Sequence, residues 1–219
     1  MVDEIYASEQ EQVEAIKKWL KENGGAIVVG VVLGLGAVGG WRWWQTRVRV
    51  EAEAASAVFE QALGASFNGK ADEAEKIAGS VITDHPRTTY AAYSALLLAR
   101  LAVEKHDLAA AKTQLEWVLA NSSGSGVRTT AQIRLARVLL AEGKPDEAWK
   151  QVEKIDPTAG GTALLAIKGD ILAAQGKTAE ARQQYLDLQA RTGAAADADN
   201  DPWSLKLDNL NAAPAKKSQ

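Results

Sequence analysis

The amino-acid sequence predicts an all-α chain in which one transmembrane helix near the N-terminus is followed by a stack of helical hairpins. Three observations support this fold class. Residues 24–41 are apolar and uncharged, the rest of the chain is rich in Ala, Leu, Glu, Lys, Gln and Arg, and one short turn motif recurs along it. These residue types are strong helix formers, and a recurring turn motif is typical of stacked hairpins.

The composition argues against nucleic-acid binding and against thiolate chemistry. The 25 Lys and Arg residues are outnumbered by 28 Asp and Glu residues, which gives a formal net charge of -3. No basic field that could hold a nucleic acid is therefore expected. The chain has 0 cysteines and 2 histidines, so disulfides and thiolate metal sites are excluded. We expect neither a cofactor nor a metal site.

Residues 24–44 have the length and the flanks of a membrane-spanning helix. The uncharged part extends roughly 27 Å at about 1.5 Å per residue, close to the roughly 30 Å hydrocarbon core of a bilayer. Lysines precede it, and the side chains after it are typical of a membrane interface, namely Trp41, Arg42, Trp43 and Trp44. A lipid bilayer is therefore an expected partner.

Glycines in the same segment predict a face against which another membrane helix can pack. Gly30 with Gly34, and Gly36 with Gly40, have the spacing that lets two helix backbones approach closely. The direction of insertion stays open, because positively charged residues flank both ends of the segment and the positive-inside count is a tie.

Two other interpretations of this segment are weaker. Residues 34–39 fit the pattern G-x-G-x-x-G, but the second strand that a nucleotide-binding βαβ unit needs is not visible after it. A cleaved signal peptide is disfavoured by the long acidic leader and by the bulky tryptophans. Within the leader, Ser8 and Glu11 resemble a capping box, which predicts the start of a short amphipathic helix.

Beyond residue 50 the chain repeats a turn between two helical stretches. The aligned segments are residues 69–74, 106–111, 143–148 and 176–181, at close to the roughly 34-residue period of tetratricopeptide repeats. Glycine opens three of these turns and His106 opens the second, where we expect residues that tolerate positive φ. Small residues at the predicted helix crossings are Ala62, Ala99, Ala136 and Gly169. The chain thus resembles a degenerate tetratricopeptide-like helical-hairpin solenoid.

We expect the chain to be organised in four regions. A short amphipathic leader covers residues 1–23, and the transmembrane helix covers residues 24–44. A repeat domain of four helical hairpins and a C-terminal cap covers residues 45–211. Residues 212–219 are expected to form a disordered tail.

The sequence shows no catalytic constellation, and we predict a protein that is not an enzyme. Residues 176–178 resemble part of a phosphate loop, but the required earlier glycine is missing. A surface for binding a polypeptide segment is the remaining prediction, because the first helix of each hairpin lines the inner wall of such an array. The turn register directs four side chains to this candidate groove: Tyr93, Arg100, Arg137 and Asp170.

Several of these segments together carry a family resemblance. Residues 12–24, the run Gly40-Trp-Arg-Trp-Trp44, the degenerate repeats and residues 205–210 resemble the YfgM family, an ancillary subunit of the bacterial SecYEG translocon. The resemblance implies an inner-membrane protein with a cytoplasmic N-terminus and a periplasmic repeat domain. It also implies three partners, which are SecYEG, the chaperone PpiD and nascent exported polypeptides. A membrane anchor that sequesters a soluble signalling regulator is the alternative that the residues leave open.

Overall fold

All regular secondary structure in the described part of the chain is helical. The computed structural model describes the backbone of residues 2–192 and 202–212, and it contains no strand within these ranges. The helices are α1 Val2–Phe67, α2 Ala71–Asp84, α3 Thr89–Glu104, α4 Leu108–Asn121, α5 Ser125–Ala141, α6 Pro145–Val152, α7 Pro157–Ala174, α8 Thr178–Thr192 and α9 Pro202–Ala212. The predicted all-α fold class is confirmed.

The chain divides into two compact units, residues 1–51 and residues 52–219. Within the described residues, one helix is long and apolar enough to cross a membrane, and none of its apolar window is buried. The predicted helix start at Ser8 is wrong, because α1 begins at Val2. The residues before Ser8 include neither glycine nor proline, so nothing there interrupts a helix.

The second unit is built of paired helices. Residues 52–67 of α1 pack against α2, and α3 pairs with α4, α5 with α6, and α7 with α8. The predicted small residues at the helix crossings are all buried, as are larger side chains between the helices, including Leu115, Val118, Leu135, Leu139, Val152, Tyr185 and Leu188. Burial of these apolar side chains against neighbouring hairpins is what stabilises a helical-repeat domain.

The turns within the hairpins share one backbone conformation. The opening residue of each predicted turn has a positive φ, which is 72° at Gly69, 62° at His106, 75° at Gly143 and 78° at Gly176. The prediction from the aligned turns is confirmed. His106 is the position with a β-carbon among these four, so it adopts a left-handed conformation that glycine adopts without strain.

Helix α9 covers the last hairpin. Its side chains Trp203, Leu207 and Leu210 pack on the buried residues Leu172 and Tyr185. The predicted disordered tail lies almost wholly outside the described residues, which end at Ala212. The helix therefore seals an apolar end that has no further hairpin to cover it among the described residues.

Candidate protein-binding groove

The predicted membrane-helix face lies in the first unit and is fully accessible. A β-carbon added at Gly30, Gly34, Gly36 or Gly40 would meet no atom within 4 Å. These glycines therefore leave room for a second helix to approach, and helix packing at this face stays a prediction.

The predicted interface residues lie at the end of that face. Trp41, Trp43 and Trp44 are exposed, and the rings of Trp41 and Trp44 lie 5.3 Å apart. The guanidinium of Arg47 lies 4.8 Å from the centre of the Trp43 ring. Arg42 is also exposed. Such an arrangement of indoles and arginines suits headgroup depth, and the interfacial role of these residues stays a prediction.

In the second unit, Tyr93 belongs to an aromatic cluster. Its ring lies 6.1 Å from the rings of both Phe59 and Tyr90, and the rings of Phe59 and Tyr90 lie 6.0 Å apart. Tyr93 is 40% exposed and lines a pocket of about 230 Å³ together with Phe59, Leu63, Leu96, Leu97, Arg100 and Arg134. The cluster thus offers apolar ring surface together with a phenolic hydroxyl that can donate a hydrogen bond.

A second pocket adjoins the first and contains two of the predicted residues. It has a volume of about 320 Å³, lies among α3, α4 and α5, and is lined by Ala99, Arg100, Val103, Leu108, Leu115, Arg134, Arg137, Val138 and Ala141. Because Arg100 and Arg134 line both pockets, the two form one surface, which we call the arginine groove. The structure therefore brings Tyr93, Arg100 and Arg137 to one groove.

Arg134 belongs to the same groove but was not among the residues selected from the sequence. It lies one helical turn before Arg137 on α5, so the two side chains share a face. The helical register, counted back from the turn, selects Arg137 but does not select Arg134. The spacing of these two arginines was the signal that could have identified the second one.

Arg134 has an unfavourable electrostatic environment. Burial lowers the pKa of its guanidinium, and the nearby charges of Arg137 and Arg100 lower that pKa further. One of its N–H groups donates to the backbone carbonyl of Leu96 at 3.4 Å. The three arginines therefore bring positive charges together at one surface, where a carboxylate would be attracted.

Asp170 occupies a different position from the other predicted residues. Its carboxylate accepts a hydrogen bond from the hydroxyl of Tyr185 at 2.6 Å and is paired with the ammonium of Lys206 on α9. Burial, followed by the neighbouring Asp170 carboxylate, raises the pKa of the Tyr185 hydroxyl. Asp170 does not line either pocket of the arginine groove. The structure therefore places it in the contact between the last hairpin and the α9 cap.

The groove has the features of a binding surface. Within the residues whose side chains are described, no group of three or more His, Cys, Asp or Glu side chains is arranged to hold a metal ion. In the segment that resembles part of a phosphate loop, Gly176 lies between α7 and α8 with the positive φ of the other turns, and Thr178 begins α8. An apolar floor with a cationic rim can hold an extended segment of another chain.

Known proteins match this chain over most of its length. A family described as a tetratricopeptide repeat-like domain matches residues 17–212. The chain is therefore a helical-repeat protein of the tetratricopeptide-like class, as the sequence predicts.

Curated relatives narrow this class. The ancillary SecYEG translocon subunit of Escherichia coli (strain K12) is 35% identical over 185 residues, which are 83% of this chain and 87% of that protein. The subunit of the same name from Haemophilus influenzae is 28% identical over 208 residues, which are 94% of this chain and 99% of that protein. No solved structure matches. This chain belongs to the family of ancillary SecYEG translocon subunits, and the predicted family resemblance is confirmed.

Proposed function

We propose that this chain is a non-enzymatic ancillary subunit of the Sec translocon in the bacterial inner membrane. Helix α1 anchors the protein in a single pass with its N-terminus in the cytoplasm. The repeat domain lies in the periplasm beside the exit of the channel. There it cooperates with the chaperone PpiD in handling exported polypeptides.

The observation that carries this proposal is the similarity to ancillary SecYEG translocon subunits over more than four fifths of the chain. The matching tetratricopeptide repeat-like family covers residues 17–212, which include the apolar segment of α1. The exposed apolar surface of α1 supports the membrane location, because contact of such a surface with water is unfavourable and a lipid bilayer would cover it. An anchored domain works by proximity, since attachment near the channel raises its effective concentration for emerging chains.

Co-purification from detergent tests the translocon association. The intact protein should remain in membranes washed with alkaline carbonate and should recover SecY, SecE and SecG after solubilisation. Recovery of a soluble regulator without these subunits would favour the alternative of a signalling anchor. Release of the protein by carbonate would contradict the membrane assignment itself.

The glycine face offers a sharper version of this test. We expect Gly34→Leu to reduce the recovery of translocon subunits, because the larger side chain keeps a partner helix at a distance. Val32→Leu is the matched control, since it changes an apolar side chain of the same helix that is already large. Equal recovery with both variants would exclude this face as the contact.

The topology can be tested without a background of native thiols, because the chain has 0 cysteines. Single cysteines at Ser8 and at the exposed Ser123 report the two sides of α1. In spheroplasts, a membrane-impermeant maleimide should label Ser123→Cys, and it should label Ser8→Cys only after the membrane is permeabilised. The reverse pattern would refute the proposed orientation.

A photocrosslinker at Tyr93 tests the role of the repeat domain. We expect adducts with PpiD or with exported polypeptides from this position. The control is a crosslinker at Arg182, an exposed residue of α8 that lines neither pocket of the groove. Equal adducts from both positions would show that the groove is not the contact.

A further inference from the structure

The arginine groove contains more positive charge than its surroundings neutralise. Among the described side chains, Glu104 is the only carboxylate paired with one of the three groove arginines, and it lies 3.4 Å from Arg100. Arg137 makes no hydrogen bond or ion pair within the described part of the chain. The excess is local, because the whole chain carries a net charge of -3.

Arg128 differs from the groove arginines, because backbone carbonyls occupy its donors. Arg128 donates to the backbone carbonyls of Leu119 and Ser122, so its donors fix the connection between α4 and α5. The groove arginines make few such contacts: Arg100 reaches Ser66 and Glu104, and Arg134 reaches one carbonyl. Their remaining N–H donors are therefore available to an acceptor from outside the chain.

The floor of the groove is apolar, so an occupant must offer apolar side chains as well as negative charge. Leu115 and Val138 are buried and form the floor of the larger pocket below the exposed arginines, and Val103 and Leu108 also line this pocket. Its volume of about 320 Å³ is about twice the roughly 150 Å³ of a cavity that holds benzene. The pocket therefore has room for one or two apolar side chains, and the neighbouring pocket adds the exposed edge of Tyr93.

We infer that the arginine groove binds an acidic polypeptide segment in an extended conformation, with carboxylates paired to Arg100, Arg134 and Arg137 and an apolar side chain inserted between them. The inference rests on the proposed function in one respect, namely that the repeat domain binds polypeptides. It adds the chemical class of the segment and the residues that select it.

An anionic lipid headgroup could pair with the arginines, but it has no apolar group to fill the apolar floor of the groove. A headgroup presents phosphate at a broad surface, whereas the apolar lining lies below the arginines in a concave pocket. A polypeptide with alternating carboxylates and apolar side chains can place its carboxylates beside the arginines and its apolar side chains on the apolar floor. The polypeptide is therefore the occupant that fits both observations, and lipid becomes an outcome of the test.

The experiment measures fluorescence anisotropy with the full-length protein in nanodiscs of neutral phosphatidylcholine. One probe is a labelled peptide of glutamates interspersed with leucine and phenylalanine, and the second probe carries lysine in place of each glutamate. We expect the acidic peptide to bind, the basic peptide not to bind, and the affinity to fall as salt is added.

Variants locate the site. Arg137→Gln should weaken binding of the acidic peptide by about tenfold or more, as expected for loss of a charged hydrogen bond. Arg100→Gln should weaken it similarly. Arg182→Gln makes the same change of net charge on exposed α8 and should leave the affinity unchanged. Unchanged melting temperatures would show that each variant is folded.

Four results would overturn the inference. They are equal binding of both peptides, equal weakening by Arg137→Gln and Arg182→Gln, loss of peptide binding when the nanodiscs contain phosphatidylglycerol, and self-association of the protein that Arg137→Gln abolishes. The third result would assign the groove to lipid, and the fourth would assign it to a second copy of this chain.

This test and the translocon test can fail separately. Peptide binding without recovery of SecYEG would refute the translocon association and retain the acidic-segment groove. Recovery of SecYEG without selectivity for the acidic peptide would retain the translocon association and refute the acidic-segment groove.

Discussion

Gly169 is the position where the structure makes the sharpest prediction about stability. A β-carbon at this site would lie 2.7 Å from Cε1 and 2.9 Å from Cζ of Tyr185, which is closer than carbon atoms approach in folded proteins. The Tyr185 ring cannot easily move away, because it is 2% exposed and its hydroxyl donates to Asp170 at 2.6 Å. Gly169→Ala must therefore displace α7 from α8 or break this hydrogen bond.

The expected loss of stability follows from two opposing terms. Overpacking of a buried site costs about 1–3 kcal/mol, and alanine recovers about 0.5–1 kcal/mol of helix propensity. We expect a net loss of about 1–2 kcal/mol, which lowers the melting temperature of a domain of this size by about 2–8 °C. Thermal unfolding of the detergent-solubilised protein, followed by circular dichroism, measures this change.

Gly79→Ala is the matched control. Gly79 also lies inside a helix, α2, but a β-carbon there would meet nothing within 4 Å. The same substitution should raise stability by about 0.5–1 kcal/mol at this site. A melting temperature that rises with Gly169→Ala as it does with Gly79→Ala would refute the close approach of α7 and α8.

Three further predictions concern a turn, a helix cap and the C-terminal helix. His106→Gly should raise stability by about 0.5–1 kcal/mol in thermal unfolding, because it relieves a side chain at a φ of 62°, and Gly143→Ala should lower it. Hydrogen bonds from the Thr158 side chain and backbone lower the pKa of Asp156 in the folded state. This cap should therefore stabilise the fold fully at a pH above the unfolded-state pKa of Asp156. Its contribution should be lost as the pH falls through the folded-state pKa. Denaturant titrations across acidic pH should accordingly show the difference between wild type and Asp156→Asn shrinking with decreasing pH, and a constant difference would contradict the sign. Lys206→Ala should cost about 1 kcal/mol by removing the cation paired with the half-buried Asp170 carboxylate, whereas Lys206→Arg should retain most of the stability; equal melting temperatures for wild type and Lys206→Ala would argue against this contact.

Local constraints explain why much of the fold could be predicted. The turn residues were visible because a left-handed backbone conformation restricts the choice of side chain, so Gly69, Gly143 and Gly176 mark the register of the hairpins. The crossings were visible because close helices require small residues, which selected Ala62 and Gly169 among others. Both signals lie within one hairpin and need no knowledge of distant contacts.

The candidate site was predicted only in part, because it depends on contacts between hairpins. The register selected Arg100 and Arg137, which lie on helices that share a pocket, but it did not select Arg134, which lines the same pocket one helical turn before Arg137. Asp170 satisfied the same register, yet its carboxylate is paired with Lys206, a residue 36 positions further along the chain. A pattern with the period of one repeat carries no information about a helix that follows the last repeat.

The pairing of successive helices has a consequence for how the domain forms. Helices α2 to α8 pack mainly on partners that are one or two helices away in the chain, and such local contacts favour rapid folding. A domain of this kind can acquire structure from its N-terminal side while later residues are still being delivered. The last hairpin cannot complete its packing in this way, because its apolar end stays uncovered until α9 is present. A chain that ended before Pro202 would expose Leu172 and Tyr185 to solvent.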